Sequence, residues 1–222
     1  VGIDNIEGNR NSMPLFNLAW NYDDRFFWDG RELSLERQIF DPITNPIEMH
    51  NTVSNVVNEL QNDIEYPNLF FEAFGTEIID SVLIGKAIAQ FERTIISANS
   101  KFDNPLWTDN IFHNNGLDND FLDLGLGYVT GDPNDNGKFR TPSLRNLAFT
   151  APYMHDGRFT TLDEVIDHYS EGLQDSETID PLMKMISQGG VQLSQEEKIN
   201  LKAFLLTLSD YDFISNVDYN QQ

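Results

Sequence analysis

The residues best suited to chemistry stand in one turn-rich stretch. Lys138 to Asn146 carries Arg140 and Arg145, and Thr150 to Arg158 carries Tyr153, Met154, His155 and Arg158. Thioether, imidazole, phenol and guanidinium groups gathered in loops just ahead of a helix are what a scaffold presents to a metal or cofactor. His168 follows, with Tyr169 beside it, while His50 and His113 stand alone. A lone histidine is more often a hydrogen-bonded surface or core residue than a ligand. There is no His-x-x-x-His or His-Glu-x-x-His spacing, so zinc hydrolysis has no support. There is no Gly-x-Ser-x-Gly elbow for Ser-His-Asp chemistry. Asp132 to Gly137 imitates the first half of a calcium loop, but Pro133 intrudes and Ser143 stands where a glutamate is needed, so a polar turn is expected. Trp28 sits in the run Phe26-Phe27-Trp28-Asp29-Gly30-Arg31, against an Asp-Gly turn signal. Two readings stand side by side: a core anchor, or a redox relay, since an indole oxidises more readily than aliphatic packing. Glu48 likewise reads as a carboxylate placed at a helix start, where the dipole favours it, or as an acid–base group.

The whole chain bounds these readings. Its 222 residues suit one large domain or two small lobes. Apolar residues make up 40% and aromatics 12%, which argues for a packed fold. With 36 acidic against 14 basic residues the net charge is −22, so a phosphate backbone or an anionic membrane would repel this surface. No apolar run approaches the ~20 residues of a spanning helix. The sequence has no cysteine, which excludes disulfides, thiol catalysis and cysteine–zinc sites. It begins at Val1 without Met, as a mature or truncated start would.

The elements that must position the candidate groups are mainly helical, joined by long Asn-, Asp-, Gly- and Pro-rich connections. Residues 1–32 read as an ordered loop region. A short helix is expected from Leu33 to about Gln38, ended by Pro42 and Pro46. Glu48 to Leu60 reads as a helix with Val53, Val56, Val57 and Leu60 on one face. Thr76 is expected to cap a helix over 77–97, with Ile79, Val82, Leu83, Ile88 and Phe91 at helical spacing. Residues 98–142 read as loop, longer than a compact domain tolerates unless the loop binds something. Thr160 or Thr161 should begin a helix through Tyr169. Ser194-Gln195-Glu196-Glu197 is a capping box opening a final amphipathic helix to about Leu208.

The ordered runs along the chain resemble the bacterial di-haem cytochrome c peroxidases. Arg10-Asn11-Ser12, Asn17, Phe26 to Arg31, Gln38, Pro42 and Asn45 to Met49 match the N-terminal lobe, and Ala87 to Thr94 its closing helix. Phe112 to Leu117, Lys138 to Asn146, Ala151 to Phe159 and Leu201 to Leu208 match the C-terminal lobe. The resemblance implies a mainly α, two-lobed fold with long ordered loops, divided into 1–103 and 104–222. It implies two haems c and a calcium ion. Trp28 matches the tryptophan between the haems, and Gln38 and Glu48 match the distal pocket, with Glu48 as the acid–base group for O–O cleavage. Asn11 and the carbonyls of Thr150 and Pro152 match the calcium site. Tyr169 falls where many of these peroxidases place an axial Met. A phenolate there resembles the MauG branch and lowers the haem potential, with Met154 as the rival ligand. The family's distal His of the resting enzyme would fall near Ile3, and no His precedes His50, a further MauG-like trait. His155 and Arg145 stand beside the same cofactor.

The expected activity is therefore that of an oxidoreductase reacting with hydrogen peroxide, with electrons relayed between two haems. The reductant would be a small cytochrome or, in MauG-like members, a protein side chain. No nucleic acid and no membrane span are expected, a homodimer is possible, and export to the periplasm follows from the family alone. The departure is cysteine. The family's two Cys-x-x-Cys-His segments would lie before Val1 and between Asp103 and Asn104. They are expected to belong to a longer native protein. The alternative is a haem-less relative acting as a calcium-stabilised binding module.

Overall fold

A computed structural model describes residues 2–3, 5–101 and 107–220. The junction at Asp103–Asn104 lies outside them. Among the described residues the chain is mostly helical, with one small two-stranded antiparallel sheet. The first half holds α1 (Leu35–Gln38), α2 (Phe40–Thr44), α3 (Val53–Asn62), α4 (Tyr66–Phe74) and α5 (Ser81–Thr94). Then come β1 (Phe112–His113), α6 (Leu126–Thr130) and β2 (Phe139–Arg140), and after them α7 (Leu162–Asp167), α8 (Gln195–Leu206), α9 (Tyr211–Ile214) and α10 (Val217–Asn220).

Local chemistry sets the helix ends, and it corrects several expectations. Pro42 lies inside α2 instead of ending a helix. Proline is tolerated in a first turn, where its missing N–H has no partner to lose. The helix expected from Glu48 begins only at Val53, because Thr52 is its cap and accepts from the Asn55 amide at 3.1 Å. Glu48 therefore occupies the preceding turn, and the dipole reading fails. The next long helix is capped by Asp80, whose carboxylate accepts from the Leu83 amide at 2.8 Å. Thr76 instead caps a local turn by accepting from the Ile78 amide. The capping box at Ser194 and Glu197 opens α8, and a second at Thr161 and Glu164 opens α7. Tyr169 falls past the end of α7, in a wider π-type turn over His168–Gly172. No side chain of α8 is fully buried, so the amphipathic expectation for it does not hold.

Two apolar clusters hold the first half. Ile39, Phe70, Ile79 and Ile84 form one, with Val56, Val57, Leu60, Leu83 and Ile88 packed around it. Phe26, Leu35 and Ala89 form the other. Val82 and Phe91, expected on the core face of α5, are instead mostly exposed. Helices α1 and α5 approach closely at Gly85, where a Cβ would lie 2.6 Å from the Glu36 carbonyl oxygen.

The two halves are joined by buried polar groups. Ser97 donates to Asp210 at 3.0 Å, and both the Arg145 Nε (3.0 Å) and the Asn146 amide (2.9 Å) donate to the Ser97 hydroxyl. Arg145 and Asn146 are wholly buried. Asn17 and Ser97 exchange hydrogen bonds, and Asn99 donates its amide to Asp210. Hydrogen bonds between buried groups help fix the register of the two halves.

Candidate functional site

A cavity of about 860 Å³ opens where the halves meet. Loop residues shape it: Arg10, Asp29 and Arg31 from the first segment, Asn45 and Glu48 from the turn before α3, Asn114 to Asp123, and Phe139, His155 and Arg158 from the second half. Arginine–carboxylate pairs brace its wall. Arg10 donates to Asp29 and Asp123, each at 2.6 Å, and Arg158 reaches Asp118 at 2.6 Å and Asp156 at 2.7 Å. Burial opposes the charge on Asp123, yet the Arg10 hydrogen bond and charge, with the Gly125 amide and His155, together outweigh it and hold the carboxyl below the usual range. Arg31 is stacked 3.7 Å over the Phe27 ring and paired with Asp29 and Asp41.

Glu48 reaches the cavity with its carboxylate exposed, steadied by the Asn45 side-chain amide at 2.8 Å. Gln38 is on α1, outside the lining, with its Oε1 buried and unpartnered. Trp28 is buried, and its indole N–H donates to the Asn11 carbonyl at 2.8 Å. The Asn11 amide N–H in turn donates to the His155 carbonyl at 2.7 Å, and the Asn11 side chain donates to the Pro152 carbonyl at 2.5 Å. Asn11 and Pro152 thus meet as expected, while the Thr150 side chain turns back to the Leu147 carbonyl. His155 stacks on Phe139 with ring centroids 3.7 Å apart, and its burial lowers its pKa, which keeps it neutral.

Tyr169 and Met154 converge on one residue. Asn115 donates to the Tyr169 hydroxyl at 3.2 Å and lies 3.5 Å from the Met154 sulfur. Burial raises the Tyr169 phenol, with the Asn115 hydrogen bond opposing. His168 contacts the Asn115 carbonyl through Nε2 at 3.1 Å, and burial lowers its pKa. Arg145 is not at the cavity. It lies in the buried Ser97–Asp210 network. Sequence reading passed over Arg10, Asn115 and Asp123 as site residues. The Arg10-Asn11-Ser12 and Phe112 to Leu117 runs held two of them, but only tertiary contacts single them out.

The phenol and thioether meeting at Asn115, which lines the cavity, suit one haem face, while the orphaned amide oxygen of Gln38 lies outside that lining. They do not supply thioether attachment, because the chain has no cysteine. Among the described residues no cluster of three or more His, Asp or Glu side chains could by itself hold a metal.

The chain is similar to several known proteins. A family profile described as di-haem cytochrome c peroxidase matches residues 1–110. The chain is 34% identical to the methylamine utilization protein MauG of Methylorubrum extorquens, over 94% of this chain and 67% of that protein. It is 30% identical to the MauG of Methylophilus methylotrophus, over 92% of this chain and 69% of that one. Among solved structures, a MauG-like protein associated with microbial copper homeostasis superposes with a TM-score of 0.81 at 30% identity, covering 97% of this chain and 80% of that chain. The match to the Methylorubrum protein runs over 244 positions, more than the 222 residues here, so that relative carries internal residues with no counterpart in this chain.

Proposed function

Because the chain belongs to the di-haem cytochrome c peroxidase family, on its MauG-like branch, we propose that its cavity is where peroxide is handled and that Glu48 moves the protons. The enzyme is an oxidoreductase of the di-haem peroxidase or MauG-like oxidase kind, whose family cofactors are two haems c. Bound haem supplies the redox chemistry. The rest falls to the chain's own residues. Glu48 carries the observation that supports this reading: an unburied carboxylate, held by Asn45, facing a cavity walled by paired charges. It can take a proton from one peroxide oxygen and return it to the other, a role typically contributing ~10²–10⁴-fold. The braced arginines can orient a polar substrate, in a lining where carboxylates outnumber them and disfavour an anionic one. Trp28 sits behind this wall, tied through Asn11 to His155, and serves as the relay between the halves.

Attachment of haem c calls for cysteines outside these 222 residues. The internal residues that the Methylorubrum relative has and this chain lacks are where one such segment belongs. A calcium ion would use the Pro152 carbonyl, the Thr150 carbonyl and, once the amide flips to present Oδ1, Asn11. Oxygen distances of about 2.3–2.6 Å are expected. The lobes divide at 103/104. The electron source is a small cytochrome or a protein side chain, and the protein works outside the cytoplasm. Among the described residues no helix is long and apolar enough to cross a membrane.

Intact mass and haem staining of the protein purified from its native host test attachment. A mass equal to the 25.4 kDa chain, with no haem stain, rejects it. Peroxide turnover of Glu48→Gln tests the proton role. A fall of ~10²–10⁴-fold with an unchanged melting temperature is expected, and full activity overturns the assignment.

A further inference from the structure

A second, smaller cavity of about 40 Å³ lies away from the large one, between residues 13–21 and the turn at 140–143. Arg140 and Asn110 both line it, and only 6% and 4% of their surfaces are exposed. Arg140 differs from the arginines of the large cavity. Arg10, Arg31 and Arg158 each grip carboxylates, whereas Arg140 donates through Nη2 to two neutral amide oxygens, those of Asn21 (2.8 Å) and Asn110. Its Nε and the Asn110 Nδ2 are both buried with no hydrogen-bond partner. Its hydrogen bonds go only to neutral groups, and the Asp23 carboxylate acts on it without a hydrogen bond and does not offset burial; a buried guanidinium so placed is costly, and an orphaned N–H adds to the cost. Two such N–H groups bordering one cavity define what would relieve both: a compact negative charge.

We propose that Arg140 and Asn110 form a binding site for a monatomic anion of the halide class. The volume admits one such ion and excludes nucleotides or aromatic acids. The anion accepts from the Arg140 Nε and the Asn110 amide. It joins the N-terminal segment, through Asn21, to the second half, and because the Arg140 backbone N–H donates to the Trp28 carbonyl at 2.9 Å it also steadies the relay tryptophan from behind. A water could fill the space but could not neutralise the guanidinium. The site shares no residue with the large cavity, so it stands or falls apart from the peroxide reading.

The test follows the melting temperature of the intact protein in sodium bromide or chloride against sodium gluconate at equal ionic strength. The control matters because any salt screens a net charge of −22. A saturable rise with halide over gluconate is expected, as linkage requires for a ligand of the folded state. Arg140→Gln should lose that rise. Asn110→Asp should also lose it, since a carboxylate then occupies the anion's role, and Asn110 has a φ of 56°, which aspartate tolerates. Should Arg140→Gln fail to fold, Asn110→Asp decides alone: a retained halide response overturns the site. A bromide-soaked crystal should show an anomalous peak beside the Arg140 Nε, and a water there without that peak, or equal stabilisation by gluconate, also overturns it.

Discussion

At the level of single residues, His113 ties stability to pH. Its ring bridges two carboxylates, Nδ1 to Asp180 at 2.5 Å and Nε2 to Asp109 at 2.9 Å. Burial works against the charge, but the two carboxylates outweigh it and raise the pKa above its ordinary 6.5. The folded state therefore binds the proton more tightly than the unfolded chain. Its contribution is complete below pH 6.5 and is lost as pH rises through the folded value. Urea midpoints should fall over that window in the wild type and stay flatter in His113→Gln. Tyr169 offers a second test. Losing its hydroxyl in Tyr169→Phe removes the Asn115 hydrogen bond, worth ~0.5–1.5 kcal/mol. In haem-loaded protein an axial role adds a changed visible spectrum, and Tyr169→Met then raises the potential; a stability loss with an unchanged spectrum assigns the residue to packing. His113 was not legible in the sequence beyond being a lone histidine, since its partners lie on two separate loops.

Helix ends were the most legible elements, and where they failed the reason is local. The capping boxes at 161–164 and 194–197 are written in four consecutive residues, so their spacing sufficed. Helix α4 went unread although Pro67 at its start and Gly75 (φ 76°) just past its end are the usual punctuation; its exposed Leu69 and Phe71 blurred the apolar period. Replacing Ser194 with Ala should cost about 1 kcal/mol by orphaning the Glu197 amide, measurable as a lowered unfolding midpoint. At Gly85 two effects compete. Alanine gains roughly 0.8–1.0 kcal/mol of helix propensity over glycine. A Cβ at 2.6 Å from the Glu36 carbonyl forces α1 and α5 apart. The clash should win, so Gly85→Ala is expected to be destabilising, whereas alanine at an exposed helical glycine would stabilise.

Across the whole molecule the halves depend on polar pairs far apart in sequence. Asp210 is buried and accepts from Ser97, Asn99 and Phe213 while lying 3.8 Å from Arg145. Truncating it in Asp210→Ala removes the acceptor for the buried Ser97 hydroxyl and for the Asn99 and Phe213 amides, and orphaned buried donors typically cost ~1–3 kcal/mol each, so thermal unfolding should drop accordingly. A near-unchanged melting curve would mean that the network is already open to water. None of this could be read from periodicity. The mainly helical, two-lobed outline and the meeting of Asn11 with Pro152 came from ordered motifs, whereas the partners of Ser97 are fixed only when distant loops close.

That closure carries a consequence for how the protein is made. Arg10 waits for Asp123, and Ser97 waits for Asp210, each partner 113 residues later in the chain. At synthesis rates of ~5–20 residues per second, the earlier half emerges ~6–23 s before its clamp exists, long after its own helices can form. During that interval Arg10 and Ser97 lack these partners, and a nascent chain arrested short of residue 210 should be cut by proteases near Ser97, which the finished molecule buries.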